Sequence, residues 1–354
     1  MSGSIARRDW MAAVAMALSP SCARRPAQPA GWQWQRLPDL PMTLAGQFAG
    51  VHNGALIVAG GSWFPVSKWT GGVKKWVGDV FVLERADGAW QRFALPRPLA
   101  YGGSASTARG LLLVGGGDEK ENVAACHWLR WDGRSLAVEP AAPLPAALAN
   151  CGAALLGGRV YVSGGQQSPT ATVAERVLLS LDLTQPGAGW RREAPLPGAG
   201  RILASIAASG AHLSVAGGAE LFAGARGKAE RRYLQDAWRF TPGSGWSALP
   251  DLPEPTCAAP AACAGDALLV LGGSDGVLAP REAELADGHP GFSRGVKSFL
   301  PAIGQWRVSA QLPFSLVTTT ATVWRDLLVV PGGEDRPAHR SAAVYALPLR
   351  QVKV

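Results

Sequence analysis

The chain has 354 residues, of which 44 are Gly and 27 are Pro, about a fifth of the total; average usage is about 12%, and low-complexity disorder begins near 25–30%. With 47% hydrophobic and only 17% charged residues, the composition excludes a disordered chain and asks for many turns around a sizeable core. The formal charge of +8 is carried by basic residues that come at most in pairs, such as Lys74-Lys75 and Arg231-Arg232, so no nucleic-acid arm is expected, while a modest positive field favours anionic ligands.

The first thirty residues read as an export signal. Arg7-Arg8 precedes an eight-residue apolar run, Met11 to Leu18, and small residues follow to Ala23. That pattern predicts a signal peptide over 1–23 and a linker over 24–31, with a periplasmic or otherwise exported product, and the Arg pair suggests the twin-arginine route. Lipid attachment at Cys22 is the less favoured reading, because Ser19-Pro20-Ser21 fits it poorly. The apolar run is too short to span a bilayer, and no later segment reads as a membrane span. The remaining cysteines, Cys126, Cys151, Cys257 and Cys263, show no zinc spacing. Cys257 and Cys263 fall in one expected strand, too far apart to bridge. Four buried free thiols are expected, with no metal and no cofactor.

From residue 32 onward one unit is written six times. A hydrophobic run ends in Gly-Gly at Gly61, Gly116, Gly165, Gly218, Gly273 and Gly333, each following a Leu-Pro at nearly constant distance; Pro41 to Gly61, for example, is 20 residues. Five of these Leu-Pro pairs are preceded by a Trp: Trp34, Trp90, Trp190, Trp246 and Trp306. Such a period means a repeat architecture rather than the two domains that length alone suggests.

Each unit reads as four strands in chain order. An Ala- or Thr-rich strand follows Leu-Pro, and an aliphatic strand such as Ala55–Ala59 runs into the Gly-Gly. After a variable loop comes a third strand, such as Asp79–Leu83 or Leu178–Asp182, then a turn and an outer strand opened by Trp. No stretch shows a helical period. The expected fold is all-β, a six-bladed β-propeller over residues 32–350 with a tail at 351–354. The sixth unit has only three strands before the chain ends, so the Trp34 segment is expected to supply its fourth and lock the ring.

The Gly-Gly runs with their following strands resemble kelch repeats. Four segments sharpen the likeness: Phe48–Gly61 with Lys74, Lys75 and Asp79; Leu95–Gly102; His289–Phe292; and Gly333-Glu334-Asp335-Arg336-Pro337-Ala338-His339-Arg340-Ser341. Together they resemble the cyclically permuted mutarotase group of kelch-repeat proteins, relatives of the bacterial N-acetylneuraminate epimerases. In that family the last segment lies mid-chain, and a ring started two blades away accounts for its place here. The resemblance implies a carbohydrate isomerase that exchanges α and β anomers of sialic acid or a related, anionic sugar without a cofactor. It places the proton acceptor on Glu334, its companion on Arg340, and a second arginine, with a weaker match, on Arg201. It also implies a long roof insertion in the fifth blade, where this chain has a short loop containing His289–Arg294.

The chemistry fits those residue types. Mutarotation needs a base at the anomeric hydroxyl and an acid at the ring oxygen, and an Arg fork suits a sugar carboxylate. A salt bridge from Glu334 to Arg340 or Arg336 explains the same residues without a reaction. First-strand polar groups Gln47, Tyr101, Asn150 and Arg201 are candidates to point at the same mouth, as are Trp63, for stacking on a sugar, and His289, although a turn at Pro290-Gly291 explains the latter equally. A copper radical oxidase would need a set of Tyr, Cys and His that Tyr101, Tyr161, Tyr233, Tyr345 and the five His do not supply, and Ser274-Asp275-Gly276 is not a sialidase turn. The alternative from a different class is a non-catalytic propeller that binds a glycan or a protein at its channel mouth.

Overall fold

A computed structural model describes residues 32–352; the expected export signal, the linker and Cys22 lie outside the described residues. Six four-stranded antiparallel sheets follow one another along the chain. Blade 1 is Phe48–His52, Ala55–Ala59, Asp79–Leu83 and Gln91–Ala94. Blades 2 to 5 repeat the order from Gly103–Thr107, Gly152–Leu156, Ser205–Ser209 and Ala261–Ala264. Blade 6 takes Thr322–Trp324, Leu327–Pro331 and Val344–Pro348 from the C-terminal end and Gln35–Leu37 from the N-terminal end. Arg36 lies opposite Tyr345 in that last pairing, so the ring is closed by the strand expected to close it. Gln351 and Val352, expected in a tail, are instead tied in: Gln351 accepts a hydrogen bond from the Gln33 N–H, and Val352 packs on the blade 5–blade 6 core.

The second strand of each blade is buried on both faces, which is why it reads as an unbroken aliphatic run. In blade 1, Leu56 and Val58 pack toward blade 6 with Trp324 and Val329. Ala55, Ile57 and Ala59 face blade 2 with Leu111, Leu113 and Trp131. The same alternation builds an apolar core between every pair of neighbours. The core therefore lies between blades and surrounds the central channel.

The repeated Gly-Gly and Trp each have an inter-blade task. At all six pairs both glycines have positive φ, from +59 to +70° at the first and +95 to +109° at the second. At blade 1, the second glycine's N–H donates to the Leu99 carbonyl, the start of blade 2, at 2.8 Å. Equivalent bonds from Gly116, Gly165, Gly218 and Gly333 seal four more seams. Within blade 5 and its entry connection, the buried Lys297 ammonium donates to the Gly272 carbonyl and pairs with Glu254, both at 2.8 Å. The indoles of Trp90, Trp190, Trp246 and Trp306 donate to the carbonyls of Pro38, Ala142, Ala194 and Pro250, each in the connection that enters the Trp's own blade.

The cysteines are free, as expected, but Cys263 is only half-buried, and Cys257 precedes the blade-5 strand that holds Cys263. Burial pushes the thiols up, Cys126 and Cys257 to about 11 and Cys151 and Cys263 to about 12. A thiol in that state is almost wholly protonated at pH 8 and inert. In a Cys22→Ser protein, a thiol reagent at pH 8 is expected to label none of the four until denaturant is added, and then all four.

Candidate functional site

The channel is divided by a backbone ring. One residue from the entry to each blade adopts left-handed torsions: Gly46, Tyr101, Asn150, Leu203, Ala258 and Thr318, with φ between +55 and +69°. Each N–H donates to the carbonyl of the preceding member, from Tyr101 to Gly46 (2.7 Å) round to Gly46 on Thr318 (2.8 Å), closing a circle of six hydrogen bonds. Five of the six are not glycine, and each carries a strain of about 1–3 kcal/mol that its inter-blade bonds hold in place. On one side lies a cavity of about 440 Å³ lined by small residues of the first strands, including Gln47. On the other lies the mouth, about 790 Å³, lined by the loops that follow the Gly-Gly pairs.

Just outside this ring, the residue after each Gly-Gly forms a bridge to the blade's entry segment, in blade 2 through a third glycine, Gly117. The six positions are Ser62, Gly117, Gln166, Ala219, Ser274 and Glu334. Glu334 is the one ionisable group at this level. Its backbone is held by two hydrogen bonds with Val317, each 2.9 Å. Glu334–Arg336 and His339–Arg340 form a two-stranded hairpin in which Glu334 lies opposite Arg340. The chain thus folds back across Pro337 as a hairpin.

Glu334 Oε2 accepts from the Ala338 N–H at 3.0 Å and lies 2.9 Å from Arg340 Nη1. Arg340 is deeply buried, its side chain 5% exposed against 15% for Glu334. Its Nη2 reaches Tyr101 Oη at 3.4 Å, and that hydroxyl shares a 2.7 Å hydrogen bond with Ser62 Oγ. The Arg340 guanidinium lies 4.9 Å from the Phe64 ring centroid. Neither Arg340 Nε nor Nη1 has a hydrogen-bond partner in good geometry among the described residues. A buried guanidinium with uncommitted donors beside a carboxylate is suited to receive an anionic or hydroxylated ligand.

Around this pair the mouth adds Lys68, Lys74, Arg231 and Glu282, with the aromatic rings of Trp76, Tyr233 and Phe292. Lys74 Nζ lies 4.2 Å from the Trp76 ring and 5.0 Å from Tyr101. Asp118 also faces the mouth but is committed to Arg97 and to the N–H groups of Lys120 and Glu121. Burial alone would raise its carboxyl; those partners outweigh it and hold it below the ordinary range. No group of three or more metal-ligating side chains occurs among the described residues, and among them no helix is long and apolar enough to cross a membrane.

Of the residues expected at the mouth, Glu334, Arg340, Tyr101 and Asn150 meet there. The other four do not. Arg201 is fully buried and turns away into blade 4, where its guanidinium binds Asp236 at 2.7 and 2.9 Å and the Gly217 carbonyl at 3.0 Å. An arginine in that environment braces blade 4 and is closed to ligand. Gln47 lies on the far side of the ring, donating to Thr319 Oγ1 and the Pro331 carbonyl. Trp63 pairs with Lys75 in a short hairpin, and its neighbour Phe64 lines the mouth instead.

His289 is buried in a turn, its Nδ1 accepting from the Gly291 N–H at 3.1 Å, beside a separate small cavity. The blade-5 loop itself is longer and more ordered than expected. It carries helical turns at Ala279–Arg281, Glu282–Leu285 and Ala286–Gly288, and Ser293 and Arg294 already belong to the next strand. Lys74 stands in one of the segments that sharpen the family likeness. Lys68, Trp76, Arg231 and Glu282 escaped the sequence reading because variable loops carry no positional signal.

No protein-family model matches the chain. It is related in sequence to the N-acetylneuraminate epimerases. It is 31% identical over 229 residues to that of Haemophilus influenzae (strain PittEE), covering 57% of each chain. It is 35% identical over 126 residues to that of Brucella suis, covering 30% of this chain and 32% of the relative. The chain spans little more than half the length of the curated relatives it matches. Among solved structures, one titled "Structure of YjhT" superposes with a TM-score of 0.66 at 16% identity, over 87% of this chain and 95% of that one. That likeness shows the propeller fold.

Proposed function

We propose that the protein is a mutarotase acting on an anionic keto-sugar of the sialic acid class, with Glu334 as the base. The observation that carries this is Glu334 itself, the one ionisable residue among six equivalent positions, held 2.9 Å from a buried arginine with donors to spare. The names of the sequence relatives point to the same substrate class.

The reaction asks little of a protein. A carboxylate takes the proton of the anomeric hydroxyl as the ring opens, the open keto form turns, and reclosure returns the proton on the other face. In a sialic acid the anomeric carbon carries the carboxylate, so Arg340 and Lys74 would hold that group and set the anomeric hydroxyl against Glu334. The neighbouring aromatic rings shield the apolar sugar face. No redox change occurs and no cofactor is required. A ring that starts two blades away from the relatives accounts for Glu334 standing in the last blade, and for alignments that cover only part of each chain. Export, on which the reading of residues 1–23 rests, is part of this proposal; N-terminal sequencing of the mature protein from a periplasmic fraction tests it.

The test of activity is direct. Exchange between the anomers of free N-acetylneuraminate, followed by NMR, is expected to accelerate with protein concentration. If neither this sugar nor any related keto-sugar acid responds, the protein is a binding propeller and the mutarotase reading is wrong.

A further inference from the structure

Ring opening also needs a proton at the ring oxygen, and Glu334 cannot deliver it while taking another. Resting on the mutarotase reading, we infer that Glu282, on the helical turn of the blade-5 insertion, is the acid that serves the ring oxygen across the mouth from Glu334.

The insertion is built to hold a group there. At its far end the Phe292 N–H donates to Ser315 Oγ at 2.6 Å, and that hydroxyl donates to the carbonyl of Asp335, the residue next to Glu334, at 3.0 Å. In its middle, Asp287 accepts from Ser67 Oγ of the blade-1 loop at 3.0 and 3.2 Å. Blades 1 and 5 are not neighbours in the ring; blade 6 stands between them, so this contact arches over the corner where Glu334 sits. At its near end Gly276 lies against the Tyr233 ring, so closely that a Cβ there would be 2.4 Å from it. Fastened at three points, the insertion presents Glu282 to the same cavity that Glu334 and Arg340 line.

Two other proton sources at the mouth are engaged. Tyr101 Oη is shared between Ser62 and Arg340, and Asp118 is held ionised by Arg97. Glu282 has no side-chain hydrogen bond or ion pair among the described residues. The charged and titratable groups facing it are Lys68 of blade 1, Arg231 and Tyr233 of blade 4, Glu334 of blade 6 and His289 of its own insertion. Burial pushes its carboxyl up; Lys68, Arg231 and His289 pull against this, Glu334 adds to it, and the result stays raised. The two carboxyls thereby divide the work: Glu282 is kept protonated further up the pH scale, and Glu334 is held against its arginine as the proton acceptor.

The step balances. The Glu334 carboxylate removes the hydroxyl proton, the anomeric carbon becomes a carbonyl, and the bond to the ring oxygen breaks with its electron pair going to that oxygen. The oxygen takes the proton of Glu282. Reclosure from the other face returns both protons to their owners.

Because Glu282 must be protonated, the rate is expected to fall as pH rises through its raised pKa. NMR exchange rates across pH on the full chain test this. Glu282→Gln is expected to lower the enzymatic rate about 100-fold on the acid side and to erase the alkaline fall, with sugar affinity within about twofold. Glu282→Asp is expected to restore part of the rate together with the fall. A Glu282→Gln protein with the wild-type rate, or one that keeps the alkaline fall, overturns the assignment and moves the proton to Tyr233. A wild type that accelerates no keto-sugar is a different result: there the mutarotase reading fails and takes this acid with it.

Discussion

Glu334→Gln is expected to remove the acceleration of anomer exchange, by a factor of about 10²–10⁴, while the sugar still binds. The argument rests on what glutamine keeps. Its side-chain carbonyl can accept from the Ala338 N–H and still face Arg340, so the hairpin from Glu334 to Arg340 keeps its shape. What it loses is the ability to take a proton. Arg340 is then a buried cation without its anion, and removing one partner of a buried pair destabilises. The partial exposure of Glu334 moderates that cost. A melting curve beside the NMR exchange measurement separates the two effects: a folded, sugar-binding, inactive variant supports the base. A variant that exchanges anomers at the wild-type rate would falsify the assignment of Glu334.

Gly217→Ala is expected to destabilise the ring by more than about 3 kcal/mol, the sum of left-handed strain in a residue with a Cβ and an unrelieved clash. Gly217 has φ +60°, and a Cβ on it would lie 2.1 Å from the Thr256 carbonyl oxygen. That oxygen belongs to the entry of blade 5 and already accepts from the Gly218 N–H at 2.7 Å. The backbone cannot step aside without opening the seam between blades 4 and 5. In a protein of this size such a loss lowers Tm by about 4–5 °C or more. Gly187→Ala is the matched control, since nothing lies within 4 Å of a Cβ there; its change is expected within about 0.5 kcal/mol. Equal Tm values for the two variants would show that the close approach is relieved at little cost.

Both predictions begin from residues that the sequence marks by position. Glu334 stands directly after a Gly-Gly, and so do its five equivalents, which makes its departure from the repeat visible without coordinates. Arg201 is marked, more weakly, by its place at the start of a blade, yet its guanidinium is bound within blade 4. The difference is Asp236, 35 residues away and aimed at the guanidinium. No spacing rule reports such a partner. Glu282 is the opposite case: its loop is one of the variable ones, with no repeated sequence to mark it, and its relevance arises from the bridge that Asp287 makes to Ser67, 220 residues away.

The number of blades, the order of strands, the N-terminal closure and the Gly-Gly turns were determined by the sequence alone. Each rests on local rules, period-two burial and the torsions open to glycine, and these act within one unit and repeat. Tertiary structure decided how the units face one another. Leu203, Ala258 and Thr318 take left-handed torsions only because neighbouring blades complete the hydrogen-bonded ring. The ring separates Gln47 from the mouth, and the ion pair with Asp236 removes Arg201 from it. Glu334 and Arg340 meet within one repeat. Which side chains of other blades join them depends on contacts between blades, such as Arg340 with Tyr101, 239 residues away, and no single repeat contains those.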